Sequence, residues 1–242
     1  MICSDVRAYR RKARAPGLVS FRVQVRETDL WVSAGVNLEK ETRDRVFQCR
    51  RQIEAYIRDH PDFVTTLSPY RRDPFAPPLV KEMIRVTGPL GVGPMASVAG
   101  AIAQCVGTGL LDLTPQVIVE NGGDVFLRAD RPVTVSIFAG KSPLSGRFGI
   151  LIREKDMPLG ICSSSASIGH SLSMGIADAA CILSPSAALA DAAATALGNR
   201  VRRKRDLSAA ADWASRVAGV SGGVLIVQDR MATWGAVELV EI

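Results

Sequence analysis

The stretch SAALADAAATALGN, residues 186–199, decides how the rest of this chain is read. Between Ala187 and Leu197 its only polar side chains are Asp191 and Thr195. They stand four apart and so share one face of a helix. A helix that is apolar around its whole circumference is a buried one, and a carboxylate within it needs a cation or several hydrogen-bond donors. Ser184-Pro185 ahead of the stretch and Gly198 at its end mark a start and a stop. Two readings of Asp191 stand side by side: it holds a cation, or it makes a structural hydrogen bond to Thr195 or to a neighbouring backbone.

Working outward, TGPLGVGPMASVAGAIAQCVGTGLL (residues 87–111) predicts a glycine-proline loop and then a helix from Pro94 to about residue 110. Ala96, Ala99, Gly100, Ala103 and Gly107 recur at steps of three and four, giving a face so small that another backbone or a flat ligand can approach closely. The loop could offer N–H groups to a phosphate. It lacks the lysine and serine/threonine of a P-loop and does not match a dinucleotide fingerprint. Residues 86–111 carry no Asp, Glu, Lys or Arg, yet their prolines and glycines fit a buried helix with a loop before it better than a membrane span.

VIVENGGDVFLRA (117–129) reads as strand, tight turn, strand. A plain hairpin turn accounts for Asn121-Gly122-Gly123-Asp124. The functional alternative lets the glycine N–H groups approach a ligand while Asn121 or Asp124 fixes a hydroxyl or ring edge. VTVSIFAG and FGILIRE are expected to extend the same sheet, and the serine-rich run from Cys162 to Ser173 to interrupt it before the strand IADAACILS. In that run Ser163, Ser164, Ser165 and Ser167 beside Gly169-His170-Ser171 offer hydroxyls and N–H groups to phosphate oxygens. His170 reads either as a general base or ligand contact, or as a hydrogen-bonded structural histidine.

Elsewhere, FRVQVRETDLWVSA alternates as a β-hairpin, and residues 38–57 form an amphipathic surface helix ending near His60-Pro61. Residues 61–80 hold five of the 13 prolines and are the place for a lobe boundary if there is one. A helix around 206–218 and a hairpin over 224–240 close the chain.

Composition bounds the rest. At 242 residues with 47% hydrophobic and 22% charged side chains, the chain can build a sizeable core, and aromatics at 5% leave much of the packing to small residues. The net charge of +6 is more than accounted for by two clusters, one at residues 7–14 and one at 200–205, so the remaining body is net acidic. A broad nucleic-acid face is therefore disfavoured. The five cysteines show no close sequence pairing of the zinc or redox kind and read as reduced, mostly buried thiols. The first 17 residues have charge without a following apolar stretch of signal length, which places the protein in the cytoplasm.

In this order, the small-residue helix at 94–110, ENGGDVFL at 120–127, CSSSASIGHSLSMGIADAACILS at 162–184 and ALADAAATALGN at 188–199 resemble the ApbE-like family, more narrowly its uncharacterised cytoplasmic branch. The resemblance implies an α+β ApbE-like fold of one domain, 1–242, with mixed or antiparallel sheets flanked by helices. The better-known members are Mg²⁺-dependent flavin transferases, which bind FAD, move FMN onto a threonine of a partner protein and release AMP; some hydrolyse FAD. By resemblance Asp191 and Thr195 match magnesium-binding positions, with a backbone carbonyl near Ala96 as a further ligand, and Asn121 to Asp124 match the turn beside the flavin nucleotide. Two departures stand out. Ser97, Val98 and Ala99 occupy the place of a lysine in the transferases, and IGHSLSMGIAD is shorter than their histidine-rich loop.

The expectation is a protein that binds FAD, FMN or a related pyrophosphate ligand with Mg²⁺. Asp191 and His170 are its candidate catalytic groups. Asp191, Thr195 and Ala96 would hold the metal, and Asn121, Gly122, Gly123, Asp124, Ser163, Ser164, Ser165 and Gly169 would hold the nucleotide. A protein acceptor and a homodimer remain open, as does a non-catalytic scaffold. No membrane is expected.

Overall fold

The computed structural model describes residues 16–165 and 175–242. His170, Ser167 and Gly169 lie outside them, as do Cys3 and the basic arm.

Alternation of apolar and polar side chains builds β1 (Val19–Val25) and β2 (Thr28–Ala34), joined at Arg26-Glu27 as a hairpin. The helical repeat of Val46, Cys49, Ile53 and Tyr56 then buries one face of α1 (Glu39–Asp59). A short turn, α2 (Asp62–Thr65), leads to α3 (Pro78–Thr87), which opens on a proline at its first position. The first turn of α3 overlaps the end of the proline-rich connection at 61–80 and the rest lies beyond it, with Leu79, Val80, Met83 and Ile84 on its buried face.

A 3₁₀ turn at Pro94–Ser97 runs into α4 (Val98–Leu110), as the small-residue pattern predicts. The strands β3 (Val117–Asn121) and β4 (Asp124–Arg128) flank Gly122-Gly123, and Gly122 adopts φ 74°, a left-handed value suited to glycine. Next come β5 (Val133–Ser136), β6 (Phe148–Ile152), β7 (Leu159–Ser164) and β8 (Ala179–Ser184). The chain ends with α5 (Ala187–Arg200), α6 (Leu207–Ser215), β9 (Gly222–Val227), β10 (Arg230–Gly235) and β11 (Glu238–Glu241).

Eight strands form one antiparallel sheet in the order β1-β2-β3-β4-β7-β8-β9-β10. Strands from before and after residues 61–80 meet in it, where β2 pairs with β3. The helices cover one face, and the three-stranded sheet β11-β6-β5 packs on the other. The arrangement is the expected α+β architecture with antiparallel sheets flanked by helices.

Three local expectations are corrected. VTVSIFAG and FGILIRE do not extend the main sheet; with β11 they form a second layer, because Ile150 and Ile152 pack on the face opposite the helices. Cys162, Ser163 and Ser164 do not interrupt the sheet, since they are the end of β7, paired with β4 and β8. Gly198 does not stop α5, which continues to Arg200, where the Arg200 guanidinium stacks on Trp213 at 3.6 Å.

Among the described residues no single helix is long and apolar enough to cross a membrane. Residues 86–111 instead contribute Gly100, Ala101, Ile102, Ala103, Val106 and Leu110 to the core beneath the sheet. Much of the C-terminal basic cluster is engaged locally as well: Arg202 donates to the Asn199 carbonyl, and Lys204 pairs with Asp229.

Candidate functional site

The alanine-rich surface of α5 and the small residues of α4 let the two helix backbones approach. At Gly100 an added Cβ would lie 2.3 Å from the Ala187 carbonyl oxygen and 2.8 Å from Asp191 Cβ. Gln104, one turn further along α4, fixes the start of α5 by accepting from the Ala188 N–H and the Ser186 hydroxyl. The small face of α4 is thus filled by protein backbone at Gly100, and at Gly107 by the ring of Phe126. Gly100→Ala is expected to cost about 1–3 kcal/mol through this overpacking, lowering the melting temperature by roughly 2–4 °C per kcal/mol for a chain of this size. A melting curve unchanged from wild type would contradict the close approach.

The same contact positions Asp191. Its Oδ2 accepts from the Gly100 N–H at 2.9 Å, and the Ala99 amide also favours its ionised form. These amides belong to the first turn of α4, where backbone N–H groups lack intrahelical partners. The structural reading of Asp191 is thus met in part, through a neighbouring backbone rather than Thr195; no hydrogen bond joins Asp191 to Thr195 among the described residues. The donors do not offset burial. The Asp191 carboxyl is pushed up to about 7, with desolvation as the dominant cause. Thr195 lies one turn further along α5 on that face. The 3₁₀ turn carrying Ala96 packs against the same helix.

A second carboxylate faces the first. Register pairs Asn121 with Asp124 across the turn and Asp124 with Cys162 across β4 and β7, so all three side chains point to the helix-covered face of the sheet. Asn121 Nδ2 donates to the Ala99 carbonyl at 3.1 Å, tying the Gly-Gly turn to the start of α4. Asp124 is 7% exposed, and its Oδ1 is buried with no hydrogen-bond partner among the described residues. Burial, then the Asp191 charge, drive its carboxyl well above the usual range, with Glu120 adding to the effect and the Cys162 thiol and Ser163 amide opposing it. The Cys162 thiol is pushed up in turn by burial and by the two aspartates. Two acidic groups, one buried with an orphaned oxygen and one half-buried, form a site that gains from a positive charge.

The serines divide. Ser163 donates its hydroxyl to the Gly123 carbonyl at 3.0 Å and its backbone amide to the same oxygen at 3.1 Å, so it clamps the turn. Its position on β7 puts it on the face opposite Cys162, away from Asp124. Ser164 is 8% exposed on the helix-covered face, and Ser165 is half-buried. His170 and Gly169 lie outside the described residues. Sequence reading missed Cys162 as a neighbour of Asp124 and Gln104 as the tie between α4 and α5, because strand register and helix docking carry both relations.

Known proteins can now be set beside this geometry. A family model described as AbpE bacteria matches residues 10–234. The UPF0280 protein of Methanocella arvoryzae is 42% identical over 216 residues, covering 88% of this chain and 87% of its own. That of Methanosarcina acetivorans is 37% identical over 227 residues, covering 93% and 88%. In fold, the chain is similar to the flavin transferase ApbE of Vibrio cholerae, with a TM-score of 0.57, 14% identity, and coverage of 90% of this chain and 97% of the other. The flavinyl transferase ApbE of Pseudomonas stutzeri gives the same TM-score and identity, with coverage of 90% and 94%. Matched by that model over most of its length and folded like those transferases, this chain belongs to the ApbE-like family.

Proposed function

We propose that the protein binds a flavin nucleotide, or another ligand built on a pyrophosphate, together with Mg²⁺ at the start of α4. The observation that carries this reading is the placement of the half-buried Asp191 carboxylate near enough to the buried Asp124 to raise it, with Asp124 Oδ1 left without a partner among the described residues. A divalent cation would relieve the repulsion and satisfy that oxygen.

The donors available are all oxygens: the Asp191 and Asp124 carboxylates, the Thr195 hydroxyl and a carbonyl near Ala96. That set suits Mg²⁺, which commonly takes one or two protein carboxylates and completes its shell with water and ligand phosphates. Among the described residues no three His, Cys, Asp or Glu side chains come together as a preformed metal cage, so the reading requires a shared ion rather than a resident one. When bound, Mg²⁺ supplies charge neutralisation at the pyrophosphate. Asn121 and the Gly122-Gly123 backbone would position the nucleotide beside the carboxylates, held in place by the Ala99 carbonyl and by Ser163. The names of the solved relatives, flavin transferase and flavinyl transferase, favour a flavin as the ligand.

By the resemblance, Ser97, Val98 and Ala99 stand where the transferases carry a lysine, so binding and turnover call for separate tests. Incubation of the protein with FAD and Mg²⁺, followed by chromatography of the free nucleotides, distinguishes the two. FAD retained without AMP marks a binding protein. AMP released marks transfer or hydrolysis, and transfer would leave FMN on a threonine of an acceptor protein. FAD that passes through unbound and unchanged would overturn the flavin reading, and the same result with inorganic pyrophosphate would overturn the wider one.

A further inference from the structure

Away from Asp191, the fold brings together two cysteines that sequence spacing keeps apart. Cys49 on α1 and Cys105 on α4 place their sulfurs 2.9 Å from each other, with no disulfide joining them. Arg45 lies one turn before Cys49, and Gly109 one turn after Cys105. A Cβ on Gly109 would fall 2.0 Å from the Arg45 guanidinium. The absent side chain leaves room for that guanidinium to lie against α4, where it also pairs with Asp112 at 3.7 Å. Cys49 is 1% exposed. Cys105 is half-buried and opens on a groove of about 400 Å³ that also involves Gln52, Leu79, Glu82, Gln104 and Thr108.

The two thiols differ in chemistry. The hydrogen bond from Cys49, with Arg45 assisting and burial opposing, brings Cys105 down to about 7. Cys49 is pushed far up by the same contact and by its burial. A thiolate near neutral pH beside a cation, reachable from solvent, is the reactive kind of cysteine. Cys162 and Cys181 are buried and raised by burial, Cys181 to about 12, which makes them inert comparators in the same chain.

We propose that Cys105 and Cys49 form a hydroperoxide-oxidisable dithiol entered through this groove, with Cys105 as the attacking sulfur and Cys49 as the resolving one. The Cys105 thiolate attacks the outer oxygen of the hydroperoxide, the O–O bond breaks, and the leaving alkoxide or hydroxide takes a proton; Cys105 becomes a sulfenic acid. The Cys49 sulfur then attacks that sulfenic sulfur, its S–H and the S–OH bond break, and water leaves as the disulfide forms. Two thiols are oxidised and one hydroperoxide is reduced to an alcohol, or to water, plus the water released. A disulfide of about 2.05 Å needs the sulfurs about 1 Å closer than they stand. A small adjustment between α1 and α4 supplies that movement, and a small-molecule dithiol restores the starting state.

Full-length protein treated with stoichiometric hydrogen peroxide, then alkylated, digested and mapped by mass spectrometry, tests this. Expected is a Cys49–Cys105 linked peptide that disappears on reduction, with Cys162 and Cys181 recovered alkylated. In Cys49→Ser, dimedone should trap a sulfenic acid on Cys105, and in Cys105→Ser peroxide consumption should fall at least about tenfold. Cys49 and Cys105 recovered as fully alkylated as Cys162 and Cys181, or Cys105 linked to Cys3 instead, would overturn the proposal. The wild-type peptide map alone decides the matter if either variant fails to fold.

Discussion

Asp191→Asn is expected to lower Mg²⁺-dependent affinity for FAD by about a hundredfold, equivalent to roughly 3 kcal/mol, while leaving the fold intact. The asparagine oxygen can still accept from the Gly100 N–H at the start of α4, so the contact that docks α5 is kept. What is removed is the negative charge. Asp191→Ala goes further and strips the acceptor from that amide, at about 1–2 kcal/mol of stability, partly offset by relief of the repulsion that Asp191 imposes on Asp124. Comparing the two variants by flavin fluorescence titration and thermal melting separates the docking role of Asp191 from its ligand role. Wild-type affinity with wild-type Mg²⁺ dependence in Asp191→Asn would remove Asp191 from the site.

Stability against pH should carry an unusual sign. Most paired carboxylates are held below their unfolded values and stabilise a protein as pH rises. Here burial raises Asp191 from 3.8 to about 7 and Asp124 well above its usual range. A carboxyl whose folded-state pKa lies above its unfolded one contributes stability that is complete below about pH 4 and lost as pH climbs to the folded value. Without divalent cations, the Asp191 contribution should therefore decline between about pH 4 and pH 7. The loss is on the order of 2–4 kcal/mol, towards the lower end because the Asp191 side chain keeps some contact with solvent.

Mg²⁺ should reverse that trend. A cation requires the ionised carboxylates, so the rise in melting temperature that it produces should be small below pH 6 and grow through pH 7 to 8. Asp191→Asn should flatten most of the decline seen without the ion and most of the gain seen with it. Melting curves across a buffer series, with and without Mg²⁺, read both effects. A shift on adding Mg²⁺ that is the same at pH 5 and pH 8 would contradict the coupling.

How far the sequence carries this account depends on the range of the interaction involved. The isolation of Asp191 among alanines, the small face of α4 and the Asn121–Asp124 turn are local patterns, and each stands where its periodicity places it. The hairpin at β1 and β2 and the amphipathic α1 were equally legible. Non-local pairing was not. That Asp124 lies across from Cys162 depends on the antiparallel register of β4 and β7, and nothing in LGICSS reveals it. The serine hydroxyls looked free for phosphate on composition, yet Ser163 is committed to the Gly123 carbonyl. The strands β5 and β6 carry the same alternation as the main sheet, and only the choice of partner sends them to a second layer with β11. Cys49 and Cys105 become neighbours through the docking of α1 on α4, beyond the reach of any spacing rule.

The most direct test is crystallographic. Crystals grown with FAD and Mn²⁺ in place of Mg²⁺, measured for anomalous scattering, should show one strong peak at the Asp191 carboxylate, with the pyrophosphate on its far side and Asn121 to Asp124 along the nucleotide. A bound FAD with no anomalous peak near Asp191, or a peak and nucleotide seated elsewhere on the molecule, would contradict the claim that these two aspartates hold a cation against a pyrophosphate.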